Sequence, residues 1–338
     1  NDTVMTTLQL KEHLDKAMKM PPGGGSRTGN GGVRGPAWPL IPLTEPVQFT
    51  VSSRNASARW PVDPYIVGVL LGDGSVSGRS KDQVTYTGMD PQIAQIIRDR
   101  VPGAVVDNNP ESDSGKHWII RVPGIGHALN DIGMSGCRAW EKFVPERYKV
   151  VPLEMRWALV QGLMDTDGYV DNRGHCSFLS TSEQLAKDVQ WLTRSLGFKA
   201  TITGPKTKTY TYLGEKKQGR PCWNVTIVGD RTRELFGIDR KRDRCRDGIN
   251  GGYGARRRVT KIEKIGRATA RCITVDHPNG LYITDDFIVT HNSSALLSAA
   301  LQYVDVPGYS ALLLRRTWPD LSLPGAIMDR AKTWLMDT

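Results

Sequence analysis

Two nine-residue segments of this chain follow one pattern: Ile66-Val67-Gly68-Val69-Leu70-Leu71-Gly72-Asp73-Gly74 and Val160-Gln161-Gly162-Leu163-Met164-Asp165-Thr166-Asp167-Gly168. Each has glycine third, aspartate eighth and glycine ninth. Each is also the end of an apolar run with the length of a helix. Small residues recur four apart, Gly68 with Gly72 and Gly162 with Thr166, and on a helix such positions share one face. Two helices with that face can pack with their backbones close. The packing would bring Asp73 and Asp167 together at adjoining helix ends, with Gly72 and Thr166 beside them. Two carboxylates so placed repel each other unless a divalent cation lies between them. Oxygen ligands of this kind suit Mg²⁺, which can activate water and stabilise a phosphodiester transition state. One such segment alone reads as a buried helix whose acid caps a turn. Two aligned copies favour the metal site.

The surrounding elements repeat as well. The first segment follows Pro64, a residue suited to a helix start. After it come short strand-like runs, a helix near 90–100 and the alternating stretch His117–Val122. The second is followed by the strand-like run Cys176 to Thr181, a helix for which Ser182 is a plausible N-cap, and strands in 199–228. Helix ending in an acid, strands, then helix thus occurs twice, at roughly 65–135 and 155–245. A duplicated α+β unit is the natural reading. Residues 231–258 read as a basic, glycine-containing bridge. An amphipathic helix over 4–20 and a glycine-rich linker over 21–36 precede the repeat.

A net charge of +10 over 338 residues implies a polyanionic partner, nucleic acid before an anionic membrane. No apolar run approaches the roughly 20 residues that span a bilayer, and no signal pattern opens the chain, which implies a cytoplasmic protein. The five cysteines are scattered and form no CxxC pair, so neither a zinc site nor a disulfide framework is indicated.

The paired segments resemble the motifs of the LAGLIDADG, or dodecapeptide, homing endonucleases. Lys142-Phe143-Val144-Pro145 resembles the lysine-containing block of that family, and the run from Leu185 to Ala200 resembles its block after the second motif. The resemblance covers about residues 60–245. It implies a monomeric, pseudo-twofold α+β fold with αββαββα-like halves. It further implies that Asp73 and Asp167 bind catalytic Mg²⁺, that Lys142 assists them, and that curved sheets face double-stranded DNA. Asp165 is matched by Leu71 in the first copy, so its role reads as structural. Lys199, Lys206, Lys208, Lys216, Lys217 and Arg220 would meet phosphates, giving salt-dependent affinity. An exposed, solvated hairpin is the plainer account of those charges.

The segment from Arg271 ends in Thr290-His291-Asn292-Ser293 after a β-rich stretch, which resembles the C-terminal splicing junction of inteins. The chemistry suits the residue types. The Asn292 side-chain amide can attack its own backbone carbonyl, His291 can polarise that carbonyl, and the Ser293 hydroxyl can accept an acyl group. Cys272 and Thr290 resemble the nucleophile and threonine of class 3 inteins. A half-buried strand cysteine is an equally good reading of Cys272. Arg258–Ile265, Ala270–Asp276 and Leu281–Thr290 read as three short strands. The N-terminal splicing blocks are absent from this chain, so it is expected not to complete splicing alone.

Residues 293–338 resemble the start of the ATPase domain of phage terminase large subunits. Ser293 would end a Walker A loop whose glycines and lysine are not in this chain, which argues against an active motor here. The expected organisation is therefore 1–59 as a remnant of the N-terminal splicing region with a linker, and 60–250 as the endonuclease. Residues 256–292 would be the C-terminal part of an all-β Hint domain, and 293–338 a downstream α/β extein. The expected substrate is the uninterrupted terminase gene of a phage in a bacterial host. The rival reading is a splicing element whose degenerate endonuclease only binds DNA.

Overall fold

A computed structural model of the chain describes residues 10–12, 14–16, 40–49, 60–75, 80–108, 117–212, 214–246, 256–263, 275, 281–291, 307–308, 328 and 331–332. The chain divides into two compact units, Leu43–Arg256 and a second assembled from Asn1–Pro42 with Arg257–Thr338.

The larger unit is built twice over. Its first half runs α1 (Pro64–Asp73), β2 (Gly74–Ser75), β3 (Gln83–Thr87), α2 (Pro91–Arg100), β4 (Val105–Asn108), β5 (His117–Arg121) and α3 (Ile125–Asp131). The short α4 (Glu146–Lys149) leads to a second half: α5 (Leu153–Thr166), β6 (Gly168–Val170), β7 (Cys176–Ser180), α6 (Glu183–Ser195), β8 (Lys199–Tyr212), β9 (Glu215–Val228), a 3₁₀ turn at Thr232–Leu235 and α7 (Asp239–Arg242). Each half forms a four-stranded antiparallel sheet. The orders are β2-β3-β5-β4 and β6-β7-β9-β8, the same arrangement in both. The expected duplication is therefore present.

Local chemistry explains where the helices begin. Asp63 caps α1 by accepting from the Tyr65 N–H at 2.9 Å, with Pro64 in the first turn. Asp90 and Pro91 repeat the device at α2, and the Ser182 hydroxyl caps α6 by accepting from the Leu185 N–H at 3.1 Å. Such caps satisfy N–H groups that have no partner within the helix. In the sheets, Val84, Tyr86, Val106 and Ile120 face the core in one half, and Val170, Cys176, Phe178, Ala200, Val225 and Ile227 in the other. The alternate residues form open faces. Thr85, Asp107 and Ile119 line up across the first sheet, and Tyr169, Ser177, Thr201 and Thr226 across the second.

The unit begins at Leu43, earlier than the expected boundary at residue 60. The reason is packing. The Val47 N–H donates to the Ser195 carbonyl at 2.9 Å, the buried Arg156 guanidinium donates to the Val47 carbonyl, and Phe49 stacks on Trp191 at 5.9 Å. The basic bridge over 231–258 is likewise corrected. Its first part, through α7, folds onto the end of α5 and buries Lys241.

In the other unit, Leu281–Thr290 is not one strand. It folds into a hairpin of β11 (Leu281–Thr284) and β12 (Ile288–His291), with Tyr282 opposite Thr290. The chain reverses at Asp285–Phe287, where Asp286 takes φ 62°, a left-handed conformation that aspartate tolerates. Of the strand expected over Arg258–Ile265, the described residues through 263 show strand at Arg258 alone, as the end of β10 (Arg256–Arg258), which pairs with β1 (Leu40–Pro42). Residues 10–12 and 14–16 are helical, as expected. Cys272, Asn292, Ser293, the linker and nearly all of 293–338 lie outside the described residues, as does the side chain of His291.

Candidate active site

The two motif helices, α1 and α5, meet along their small residues. A Cβ placed on Gly68 would lie 2.8 Å from the Leu163 nitrogen, and one on Gly162 would lie 2.9 Å from the Val69 nitrogen. A Cβ on Gly72 would fall 2.6 Å from the Thr166 Cβ. Atoms cannot share that space, so the seam requires glycine at these positions. The spacing seen in the sequence therefore acts as argued, and the two aspartates end up as neighbours. Burial, followed by the Asp73 charge, pushes the Asp167 carboxyl up to about 6. The Asp73 carboxyl is raised too, by burial, against the lowering influence of Lys142 and Lys241. Asp73 still reaches solvent and Asp167 is half-buried. The surrounding protein thus displaces part of the pair's water while leaving Asp73 open to solvent.

A lysine closes each helix end. The Lys142 Nζ donates to the carbonyls of Leu70 at 3.0 Å, Gly72 at 2.7 Å and Gly74 at 3.1 Å. The Lys241 Nζ donates to those of Met164 at 2.9 Å, Asp165 at 2.8 Å and Thr166 at 2.9 Å. Both residues are only 8% exposed. Burial lowers both amines, that of Lys241 to about 8. Three carbonyl acceptors around each nitrogen match the three N–H bonds of an ammonium. The geometry therefore suits the charged form of both groups. The cations also satisfy carbonyls that a helix C-terminus leaves unpaired.

Sequence reasoning singled out Asp73, Asp167 and Lys142 but took Lys241 for part of a basic, glycine-containing bridge. A usable signal was present. A duplicated site should contain one lysine per half, and Lys241 follows the second motif at nearly the separation by which Lys142 follows the first. The sequence reading of Asp165 as structural fits its surroundings. Its buried carboxylate accepts from the Tyr65 hydroxyl at 2.7 Å and from the N–H groups of Gly237 and Ile238 at 2.9 and 3.2 Å. Gly72 and Thr166 contribute their carbonyls to the lysines. The Thr166 hydroxyl donates back to the carbonyls of Gly162 and Leu163, both at 2.9 Å.

The residues expected to meet phosphates lie on the β8–β9 ribbon and its root. Lys206, Lys216, Lys217 and Arg220 are exposed and Lys199 is half-buried. The side chain of Lys208 lies outside the described residues. Lys217 has a Glu215 carboxylate at 3.8 Å. The Arg220 guanidinium lies 3.5 Å over the ring of Trp140, two residues before Lys142, with Arg138 at 5.4 Å from the same ring. The ribbon is thereby tied to the segment that carries Lys142, a contact the sequence did not reveal.

The donor set around Asp73 and Asp167 consists of oxygens. Among the described residues no group of three or more His, Cys, Asp and Glu side chains gathers, and the acidic side chains at the two motif-helix ends are Asp73 and Asp167. Two carboxylates whose negative charge is disfavoured by lost water and by each other fit a hard divalent cation.

Residues 154–262 match the LAGLIDADG-like domain family. The match begins within α5 and so covers the second half, and the chain carries a LAGLIDADG-like domain there. Among curated proteins, the chain is 26% identical over 236 residues to the replicative DNA helicase DnaB of Mycobacterium intracellulare, covering 69% of this chain and 35% of that protein. It is 32% identical over 193 residues to the replicative DNA helicase DnaB of a Nostoc species, covering 51% and 20%. The homothallic switching endonuclease of Saccharomyces cerevisiae is 20% identical over 194 residues, covering 50% and 33%. The chain thus spans roughly a third or less of the length of these relatives. Among solved structures, a mesophilic variant of the homing endonuclease I-DmoI is 14% identical, with 52% of this chain and 94% of that chain covered at a TM-score of 0.34. No helix among the described residues is long and apolar enough to cross a membrane.

Proposed function

We propose that the unit Leu43–Arg256 is a metal-dependent, site-specific endonuclease that cuts both strands of double-stranded DNA. One observation carries the reading. Two glycine-seamed helices bring Asp73 and Asp167 to a common site, and a buried ammonium stands at each helix end. The match to a LAGLIDADG-like domain over residues 154–262 supports it.

Asp73 and Asp167 would hold the metal, with the backbone at Gly72 and Thr166 beside them. Bound Mg²⁺ would supply a water of lowered pKa and a positive charge for the phosphodiester. The remaining chemistry belongs to the chain. Lys142 and Lys241 fix the ends of α1 and α5, and so fix where the two carboxylates point. Their positive charge favours the ionised carboxylates and draws in the DNA backbone. The open faces of the two sheets supply threonine, serine and tyrosine side chains of the kind that contact base edges, sugars and phosphates. The exposed lysines of the β8–β9 ribbon would hold the flanking backbone.

The second activity we propose is cleavage at the Asn292–Ser293 junction, the C-terminal step of splicing by an intein inserted in a phage terminase large subunit, a reaction this chain would not complete alone. Its support is the sequence His291-Asn292-Ser293 at the end of the β11–β12 hairpin, together with the terminase-like sequence that follows. Cys272 and Thr290 would assist. On that reading the protein acts as a monomer in the host cytoplasm, and its DNA substrate is the uninterrupted terminase gene.

The test is cleavage of a plasmid carrying that uninterrupted junction, with Mg²⁺, beside the Asp73→Asn/Asp167→Asn protein. Linear product from the unaltered protein only is expected. Binding of the junction by both proteins with cutting by neither would establish the rival reading, a degenerate enzyme that only binds DNA.

A further inference from the structure

The two halves of the site match in what they present but differ in how they hold it. We propose that Asp165 is the positioning residue for Lys241, and that Lys142 is held by a separate device, so one half of the site can be disabled while the other works. This rests on the nuclease reading above.

The Asp165 side chain and its own carbonyl close a loop. One carboxylate oxygen accepts from the Tyr65 hydroxyl of α1 at 2.7 Å. The other accepts from the N–H groups of Gly237 at 2.9 Å and Ile238 at 3.2 Å. Ile238 is the residue from which α7 starts, and α7 carries Lys241, whose ammonium returns to the Met164, Asp165 and Thr166 carbonyls. The Asp165 carboxylate therefore pins the root of the short helix whose lysine closes α5. A Cβ on Gly237 would lie 2.7 Å from the carboxylate and 3.0 Å from the Ile96 Cδ1, so a side chain there would have to push the carboxylate aside. Asp165 is 3% exposed and all of these partners are donors.

The first half has Leu71 where the second has Asp165. Lys142 is instead placed by α6. Its carbonyl accepts from the Ser182 hydroxyl at 2.6 Å, and the Val144 N–H donates to Asp188 at 2.8 Å. Asp188 is itself held by Lys149 at 2.9 Å and Gln184 at 2.9 Å. No residue belongs to both supports. A carboxylate kept merely for core packing would have no reason to join the Tyr65 hydroxyl to the backbone ahead of Lys241.

The experiment compares unaltered protein, Asp165→Asn, Tyr65→Phe and Ser182→Ala on a target duplex labelled separately on each strand, under single turnover with Mg²⁺. A displacement near 1 Å at a reacting group can slow a step by about 10²-fold. We therefore expect Asp165→Asn to slow one strand by roughly that factor, with the other strand and the DNA affinity close to unchanged. Tyr65→Phe, which keeps the carboxylate, should act on the same strand more weakly, and Ser182→Ala on the opposite strand. A second readout does not depend on cleavage. Acetic anhydride at a single pH, followed by peptide mass spectrometry, should modify Lys241 more in Asp165→Asn than in the unaltered protein, with Lys142 unchanged. Equal slowing of both strands, or parallel gains at both lysines, would overturn the proposal. If Asp165→Asn does not fold, Tyr65→Phe decides by the same two criteria. If the unaltered protein cuts neither strand, the nuclease reading fails, and the Lys241:Lys142 labelling ratio still decides the positioning claim.

Discussion

Exchange of bulk across the α1–α5 seam offers the sharpest check on the site. An alanine at position 72 would place its Cβ 2.6 Å from the Thr166 Cβ. Ordinary carbon contacts lie at about 3.5–4 Å, so the helices must part by roughly 1 Å. Rotating the threonine does not help, because the clash includes its Cβ. Overpacking of this kind costs about 2–3 kcal/mol, offset by roughly 1 kcal/mol of helix propensity gained when glycine becomes alanine. Gly72→Ala should thus lose about 1–2 kcal/mol. Thr166→Gly should lose about 1 kcal/mol through propensity and a lost methyl. In the double variant the obstructing atoms are gone, and the next neighbour of the new methyl is the Asp167 nitrogen at 3.5 Å, an ordinary contact. Its net loss should be near 1 kcal/mol or less, against about 2–3 kcal/mol for simple addition. The difference is a coupling energy of about 1–3 kcal/mol, in the range found for residues in contact. For a unit of this size each kcal/mol shifts Tm by roughly 2–4 °C. Thermal denaturation of the four proteins measures it. Strictly additive Tm changes would mean that positions 72 and 166 do not face each other, and the shared carboxylate site would have no foundation.

Other consequences follow from the same geometry. Lys241→Met should reduce DNA cleavage by about 10²-fold or more with binding retained, as Lys142→Met should, measured by single-turnover cutting beside a gel-shift titration; full activity without Lys241 would remove it from the site. The folded-state carboxyl of Asp167 stands at about 6, above its ordinary value. A raised acid binds its proton more tightly in the folded state, so its influence makes stability fall as pH rises from about 4 to about 6 and stay lower above that. Asp167→Asn should therefore gain Tm relative to the unaltered protein at pH 7.5, in the absence of divalent metal, and little or nothing at pH 4. Mg²⁺ should raise the Tm of the unaltered protein and not that of the Asp73→Asn/Asp167→Asn protein, in the same melts. Lys206→Ala/Lys216→Ala should flatten the dependence of log K on log salt by about 1.8, at roughly 0.9 per phosphate contact; an unchanged slope in fluorescence titrations would take the ribbon off the DNA.

Sequence alone was enough for those features that rest on local spacing. Small residues four apart in both motifs, Gly68 with Gly72 and Gly162 with Thr166, dictated a helix face on which backbones can touch, and the aspartates that follow were committed to the ends of those helices. Pro64 marked the start of α1, and Ser182 marked that of α6. Strand alternation in His117–Arg121 was legible in the residue types, and Ile120 is buried in the core with its strand neighbours half-buried. The hairpin at Leu281–His291 was not, since its turn is made by Asp286 and Phe287 at φ 62° and 56°, left-handed conformations without the usual glycine. The deeper omission was Lys241. In the sequence it sits among arginines and reads as solvated charge. In the fold its neighbours are three carbonyls at the end of a helix more than seventy residues earlier in the chain. The same holds for the Tyr65–Asp165 bond between the two motif helices and for Arg220 over Trp140. A lysine's surroundings depend on which unpaired carbonyls the chain brings to it. That is a matter of long-range closure, and local sequence pattern carries no record of it.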